Sequence, residues 1–264
     1  MGLAGPYVGY MPALPVLARA WLAWALAEVG DFADAMVQGE QAASAAVAVD
    51  VPLVRAHGML GLGIVHVRRG DPSHCVPRLE SALQICREAN IKGTDIWIAG
   101  FLGAGYILAN RTAEAVSLLC DTLGLAGQTR PTMSAFVLSQ LAQAYALTGE
   151  QEKAVELAQT GVDLARRHGL KGYEAWSLYS LARIYAVDRP PHAQASYHQA
   201  LALAKTLGML PIEALSHFGL GELAHQAPAH VTAREELLTA TAMFRDLGME
   251  FWVDKTAAAL AALR

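Results

Sequence analysis

Apolar residues recur along this chain at spacings of three and four, the period of a helix that buries one face. Between 173 and 186, Leu178, Leu181, Ala182 and Tyr185 fall on one side; in the segment after it Ala193, Tyr197, Ala200, Leu201 and Ala204 repeat the pattern. No β-branched run alternates with period two, so the pattern predicts an all-α protein. The helical stretches are broken in a regular beat. Gly30-Asp31, Gly70-Asp71, Asn110-Arg111 and Gly149-Glu150 each separate two such stretches, and successive breaks stand 39 or 40 residues apart. Glycine or asparagine just past a helix supplies the left-handed residue that ends it. Pro52, Pro131 and Pro211 open new stretches 79 and then 80 residues apart, and proline suits a first helical turn because its missing N–H costs nothing there. Small residues recur where paired helices must approach closely: Gly63, Gly103, Ala142, Ala182 and Gly221.

A repeat of this length is a helical hairpin that hides its core against its neighbours rather than around one centre. The expected architecture is an α-α superhelix of about six hairpins plus a terminal helix. The expected divisions are an N-terminal extension over 1–15, units over 16–50, 51–93, 94–130, 131–172, 173–210 and 211–251, and a last helix over 252–263. Two irregularities stand out. Pro77 is expected to kink the second helix of its hairpin or delay its start, and Thr122 to Pro131, with Gly124 and Gly127, reads as a shortened helix end and a loop.

The residues at the repeat positions resemble tetratricopeptide repeats. Leu102-Gly103 is followed by Tyr106, Ala115 and Leu119; Leu141-Ala142 by Tyr145, Ala154 and Ala158; Leu181-Ala182 by Tyr185, Ala193, Tyr197 and Ala200. Leu62-Gly63 with His66 is a weaker version. The consensus tryptophan is replaced by Leu138 and Leu178, and the unit is longer than the usual repeat. With these longer units, the segments 146–186 and 233–252 look like the C-terminal helical-repeat region of large bacterial signalling proteins. There it follows an ATPase module, often with an adenylate or guanylate cyclase domain. The resemblance implies a right-handed solenoid whose first helices line a concave face. It carries no catalytic residue over to this chain.

Composition narrows the function classes. Of 264 residues 54% are hydrophobic, far too many for a disordered chain. With 20 basic against 24 acidic side chains there is no electrostatic footprint for nucleic acid or anionic lipid, so neither is an expected partner. Three cysteines without a CxxC pair read as reduced thiols on buried helix faces in the cytoplasm. The N-terminus lacks a basic n-region, so no signal peptide is expected. The longest uncharged apolar run, Ile96 to Asn110, falls short of the roughly 20 residues that span a bilayer.

Motifs for chemistry are missing. Gly61-Leu62-Gly63 and Gly103-Ala104-Gly105 lie inside expected helices, not at a helix start where free N–H groups could hold phosphate. No HExxH or GxSxG occurs. Of the histidine pairs His192/His198, His217/His225 and His225/His230, even the pair that could share a helix face would stand roughly 12 Å apart, too far for one zinc ion. Neither metal, cofactor nor catalytic site is expected, and the chain reads as a non-enzyme.

A binding face is the remaining candidate. On the helix near Tyr173, Trp176, Tyr179 and Arg183 form a stripe at i, i+3 and i+7. The matching positions are Trp97, Gly100 and Ala104 two units earlier, Phe136, Ser139 and Gln143 one unit earlier, and Leu215, Phe218 and Glu222 one unit later. Aromatic anchors beside a few polar groups suit a peptide groove, which makes Trp97, Phe136, Gln143, Trp176, Tyr179, Arg183, Phe218 and Glu222 the candidate partner-binding residues. The competing reading is that the aromatics pack against the preceding repeat. The functional expectation is a protein- or peptide-binding module, the regulatory C-terminal segment of a larger bacterial signalling protein. Alternatives are a stand-alone oligomerising adaptor or a small-molecule sensor with an inducer in the groove.

Overall fold

The computed structural model describes residues 13–49, 51–126, 131–226 and 230–263. Among these residues there are thirteen α-helices and no strand: α1 Leu14–Val29, α2 Phe32–Val49, α3 Pro52–Arg69, α4 Pro72–Glu88, α5 Thr94–Leu108, α6 Thr112–Ala126, α7 Pro131–Leu147, α8 Gln151–Arg167, α9 Lys171–Tyr185, α10 Pro190–Leu207, α11 Leu210–Gln226, α12 His230–Asp246 and α13 Glu250–Ala262. Each helix packs on the next, and the odd-numbered helices from α1 to α11 also pack on one another. They form the inner layer of a superhelix, with the even-numbered helices outside.

One turn geometry builds the array. Gly30, Gly70, Asn110 and Gly149 all have positive φ, from 58° to 90°. The N–H of the following residue reaches back five residues in each case: Asp31 to Leu26 O, Asp71 to His66 O, Arg111 to Tyr106 O and Glu150 to Tyr145 O, at 2.8–3.0 Å. This reach satisfies helix-end carbonyls that otherwise have no partner. The junctions between units use the same bond, as in Ile91 to Cys86 O and Leu170 to Ala165 O.

Close packing inside each hairpin explains the small residues. A methyl group added to Gly63 would stand 2.6 Å from Leu79 Cδ2, one on Gly103 2.5 Å from Leu119 Cδ2, and one on Gly221 2.7 Å from Leu237 Cγ. The leucine of the second helix therefore fills the place of a side chain on the first. Gly103→Val is expected to destabilise the protein by about 1–3 kcal/mol through overpacking. Gly124→Ala, whose methyl meets nothing within 4 Å, is expected to stabilise it by up to about 1 kcal/mol. Thermal melts of the two variants beside the parent check both signs.

Some expectations are corrected. Helix α1 begins at Leu14, inside the stretch assigned to an extension; residues 1–12 lie outside the described residues. Pro77 does not delay its helix, because α4 starts at Pro72 and runs on past it. There Asp71 caps the helix and Pro72 supplies the first turn. Helix α6 continues to Ala126, so Thr122 and Gly124 are helical rather than loop; residues 127–130 lie outside the described residues.

The array curls until its ends meet. Arg69 Nη2 donates to Gly248 O at 2.9 Å. A methyl on Gly70 would stand 2.6 Å from Trp252 Nε1, and one on Gly30 2.8 Å from Leu247 Cδ2 and 3.2 Å from Pro211 Cδ. The turns of the first two hairpins thus seat against α11, α13 and the turn between α12 and α13. No described helix is long and apolar enough to cross a membrane.

Candidate binding face on the superhelix axis

Curling brings inner helices from distant units together on the axis, and a buried charge pair ties them. Arg68 of α3, 3% exposed, donates through Nη2 and Nε to Glu28 Oε1 of α1 at 2.6 and 3.0 Å. The same carboxylate accepts from Trp24 Nε1 at 2.7 Å and, through Oε2, from Trp176 Nε1 of α9 at 2.7 Å. The Arg68 guanidinium lies 3.9 Å from the Trp176 ring centroid and 5.2 Å from that of Phe101. Three helices thus share the Glu28 carboxylate between Arg68, Trp24 and Trp176, with cation–π stacking in addition. Tyr173 stands nearby, and burial together with the Glu28 charge holds its phenol protonated well above the ordinary range.

The expected stripe divides into two parts. Phe136 is 1% exposed and meets Phe101 at 4.5 Å between ring centroids. Trp97, half-buried, meets Trp24 edge-on at 5.0 Å and lies nearly parallel to Tyr173 at 6.1 Å. Trp176 and Tyr179 are buried, as is Phe218, which packs on Phe244 and Trp252. All five aromatics thus sit between repeats.

The polar members behave differently. Arg183 and Glu222 are exposed and Gln143 is partly so. Arg183 Nη1 donates to Gln143 Oε1 at 2.8 Å, and Gln143 Nε2 donates to Ser180 Oγ at 2.9 Å, which links α7 to α9. Protein surrounds Glu222 closely enough that desolvation holds its carboxyl above the usual range, against the pull of Arg183 and Lys255. It lines a cavity of about 320 Å³ together with Tyr197, Leu223 and His225. Desolvation also pushes up Tyr179 and Tyr197 behind it.

A separate cavity of about 60 Å³ lies behind Gln143 and Arg183, lined by residues of α3, α5, α7, α9, α11 and α13, among them Arg68, Gln140, Trp176, Tyr179, Leu215 and Trp252. It has room for a few water molecules and is far below the roughly 300 Å³ of a small-molecule pocket. Gln140 adds a buried polar group that the stripe pattern does not single out. The clasp residues Glu28, Arg68 and Trp24 were equally invisible to it, because they lie in units far from α9 in the chain.

The thiols of Cys75 and Cys86 are buried, and desolvation pushes them up to about 12 and about 11, so neither is a ready nucleophile. A histidine cluster does form, where sequence spacing gave none. His66, Asp71 and His74 meet across the turn between α3 and α4. The separation of eight residues is that of His217 and His225, but a reverse turn rather than a continuous helix joins the pair.

No protein-family model and no curated protein sequence matches the chain. Solved structures do resemble it in fold. A Rap protein complexed with competence and sporulation factor superposes with a TM-score of 0.67 at 14% identity, covering 95% of this chain and 77% of that one. PlcR of Bacillus thuringiensis, in complex with the peptide PapR7 and DNA, gives 0.66 at 12% identity over 84% and 83%. A signal transduction ATPase with numerous domains and a tetratricopeptide-repeat sensor, from Pyrococcus horikoshii, gives 0.51 at 14%, covering 93% of this chain and 42% of that one. The fold of this chain is a superhelix of tetratricopeptide-like helical repeats.

Proposed function

We propose that this chain is a non-enzymatic peptide- or protein-binding module in the cytoplasm, working as the regulatory segment of a larger bacterial signalling protein. The observation that carries the reading is the polar rim on the axis. Gln143 and Arg183 remain accessible beside the axial cavity that Trp176 and Tyr179 also line, and Glu222 is exposed at a second cavity one unit on. A neutral rim of amide, guanidinium and carboxyl suits the backbone and termini of an extended segment better than a phosphate backbone or an anionic membrane. The net charge of −4 agrees. Two similar folds are described with a bound peptide or signalling factor, and the Pyrococcus protein shows such an array occupying part of a longer signalling chain. The axial cavity is too small for a drug-sized inducer, whereas the cavity beside Glu222 is about 320 Å³.

The test is to pan a displayed random peptide library against the whole chain and measure enriched peptides by fluorescence anisotropy. Arg183→Ala with Gln143→Ala is expected to weaken them at least about ten-fold, the loss of one or two charge-assisted hydrogen bonds. No enrichment, or affinity untouched by the rim variant, would sink the reading. A second reading, a self-assembling adaptor, is favoured by Leu14, Trp21, Leu22, Val37 and Val47, each exposed on the first hairpin. Sedimentation velocity over rising concentration decides it: a constant monomer rejects self-assembly.

A further inference from the structure

The turn between α3 and α4 has a feature that capping alone does not require. Asp71 is the N-cap of α4, and its Oδ1 accepts from the His74 N–H at 3.3 Å and from Ser73 Oγ at 2.7 Å. Its other oxygen, Oδ2, is met by two imidazoles at once: His66 Nδ1 at 3.1 Å and His74 Nδ1 at 2.7 Å. The two rings lie nearly parallel, 18° apart with centroids at 5.1 Å. Three donor atoms on two helices and the turn therefore converge on one point, all within 4.8 Å of one another.

We infer that this turn binds one first-row divalent metal ion, zinc being the best fit, through His66 Nδ1, Asp71 Oδ2 and His74 Nδ1. Two imidazoles and a carboxylate are the borderline donors such ions prefer. Bonds of about 2.0–2.1 Å in a tetrahedron place ligand atoms roughly 3.3 Å apart, so the carboxylate–imidazole pairs, at 3.1 and 2.7 Å, must open slightly and the widest pair of ligand atoms, within 4.8 Å, must close. With each imidazole in its Nε2–H form, both Nδ1 lone pairs face the ion.

His66 is 7% exposed on its side chain and His74 64%, so the site opens to solvent on one side. That leaves the fourth position to water or to a partner's side chain. The ion would join the end of α3 to the start of α4, and Arg69 and Gly70 in the same turn hold Gly248 and Trp252. Metal would thus brace the place where the curled array closes, stabilising the folded state by mass action.

The test uses the full chain stripped with chelator, titrated with zinc chloride in a non-coordinating buffer by calorimetry and native mass spectrometry. The expected result is one ion per chain and a thermal midpoint that rises with zinc. His74→Ala and Asp71→Asn are each expected to weaken binding at least about ten-fold. Cobalt(II) is expected to add visible absorption that His74→Ala removes. His74 is exposed and Asn still caps a helix, so both variants should melt as the parent does without metal. Absence of stoichiometric binding, or binding that survives both substitutions, overturns the inference.

Discussion

Arg68→Ala is expected to lower the thermal midpoint by roughly 6–20 °C. Its guanidinium supplies two hydrogen bonds to Glu28 and stacks on Trp176. Removing one member of a buried ion pair costs about 3–5 kcal/mol because the other charge is left uncompensated, and each kcal/mol moves the midpoint of a chain near this size by about 2–4 °C. An edge of Glu28 reaches solvent, which favours the lower half of that range. The pair does more than fill space, since Glu28 also holds Trp176, 148 residues away. Loss of Arg68 is therefore expected to loosen α1 and α3 from α9 and raise the radius of gyration in small-angle scattering. Glu28→Gln, which keeps an acceptor for the indoles, is expected to cost less. A drop below about 2 °C in Arg68→Ala, with unchanged scattering, would show that closure rests on the contacts of Trp252 and Leu247 instead.

The units were legible because they are local. The left-handed residue at Gly30, Gly70, Asn110 and Gly149, and the missing side chains at Gly63, Gly103 and Gly221, act within one hairpin and leave a mark at fixed spacing. Curvature leaves no such mark. It accumulates from small rotations between units, and only the closed array shows that Gly70 meets Trp252 or that Glu28 meets Trp176. For the same reason the candidate face was half legible. Helical spacing places Trp176, Tyr179 and Arg183 on one side of α9, but which of them reaches solvent depends on how far α1, α3 and α13 wrap over the axis. The cluster of His66 and His74 was missed for a different reason: spacing along a helix says nothing of residues joined by a turn.

Phe136→Ala is expected to cost about 3–5 kcal/mol, the range for removing a fully buried phenylalanine. The reason lies in the preceding unit. A methyl on Gly100 would stand 2.9 Å from Phe136 Cε1, so the ring occupies the place of the side chain that α5 lacks at Gly100. Around it stand Phe101 at 4.5 Å, Tyr173 at 6.1 Å and the Arg68 guanidinium at 5.9 Å from the ring. Deleting the ring leaves a void on the axis directly under the clasp. Gly100→Ala alone is expected to destabilise by overpacking, yet in the Phe136→Ala background its methyl enters vacated space and should recover part of the loss. A double-mutant cycle is expected to show a coupling of about 0.5–3 kcal/mol. Additive effects would mean that α5 and α7 adjust independently at this level. Coupling assigns Phe136 to the joint between α5 and α7.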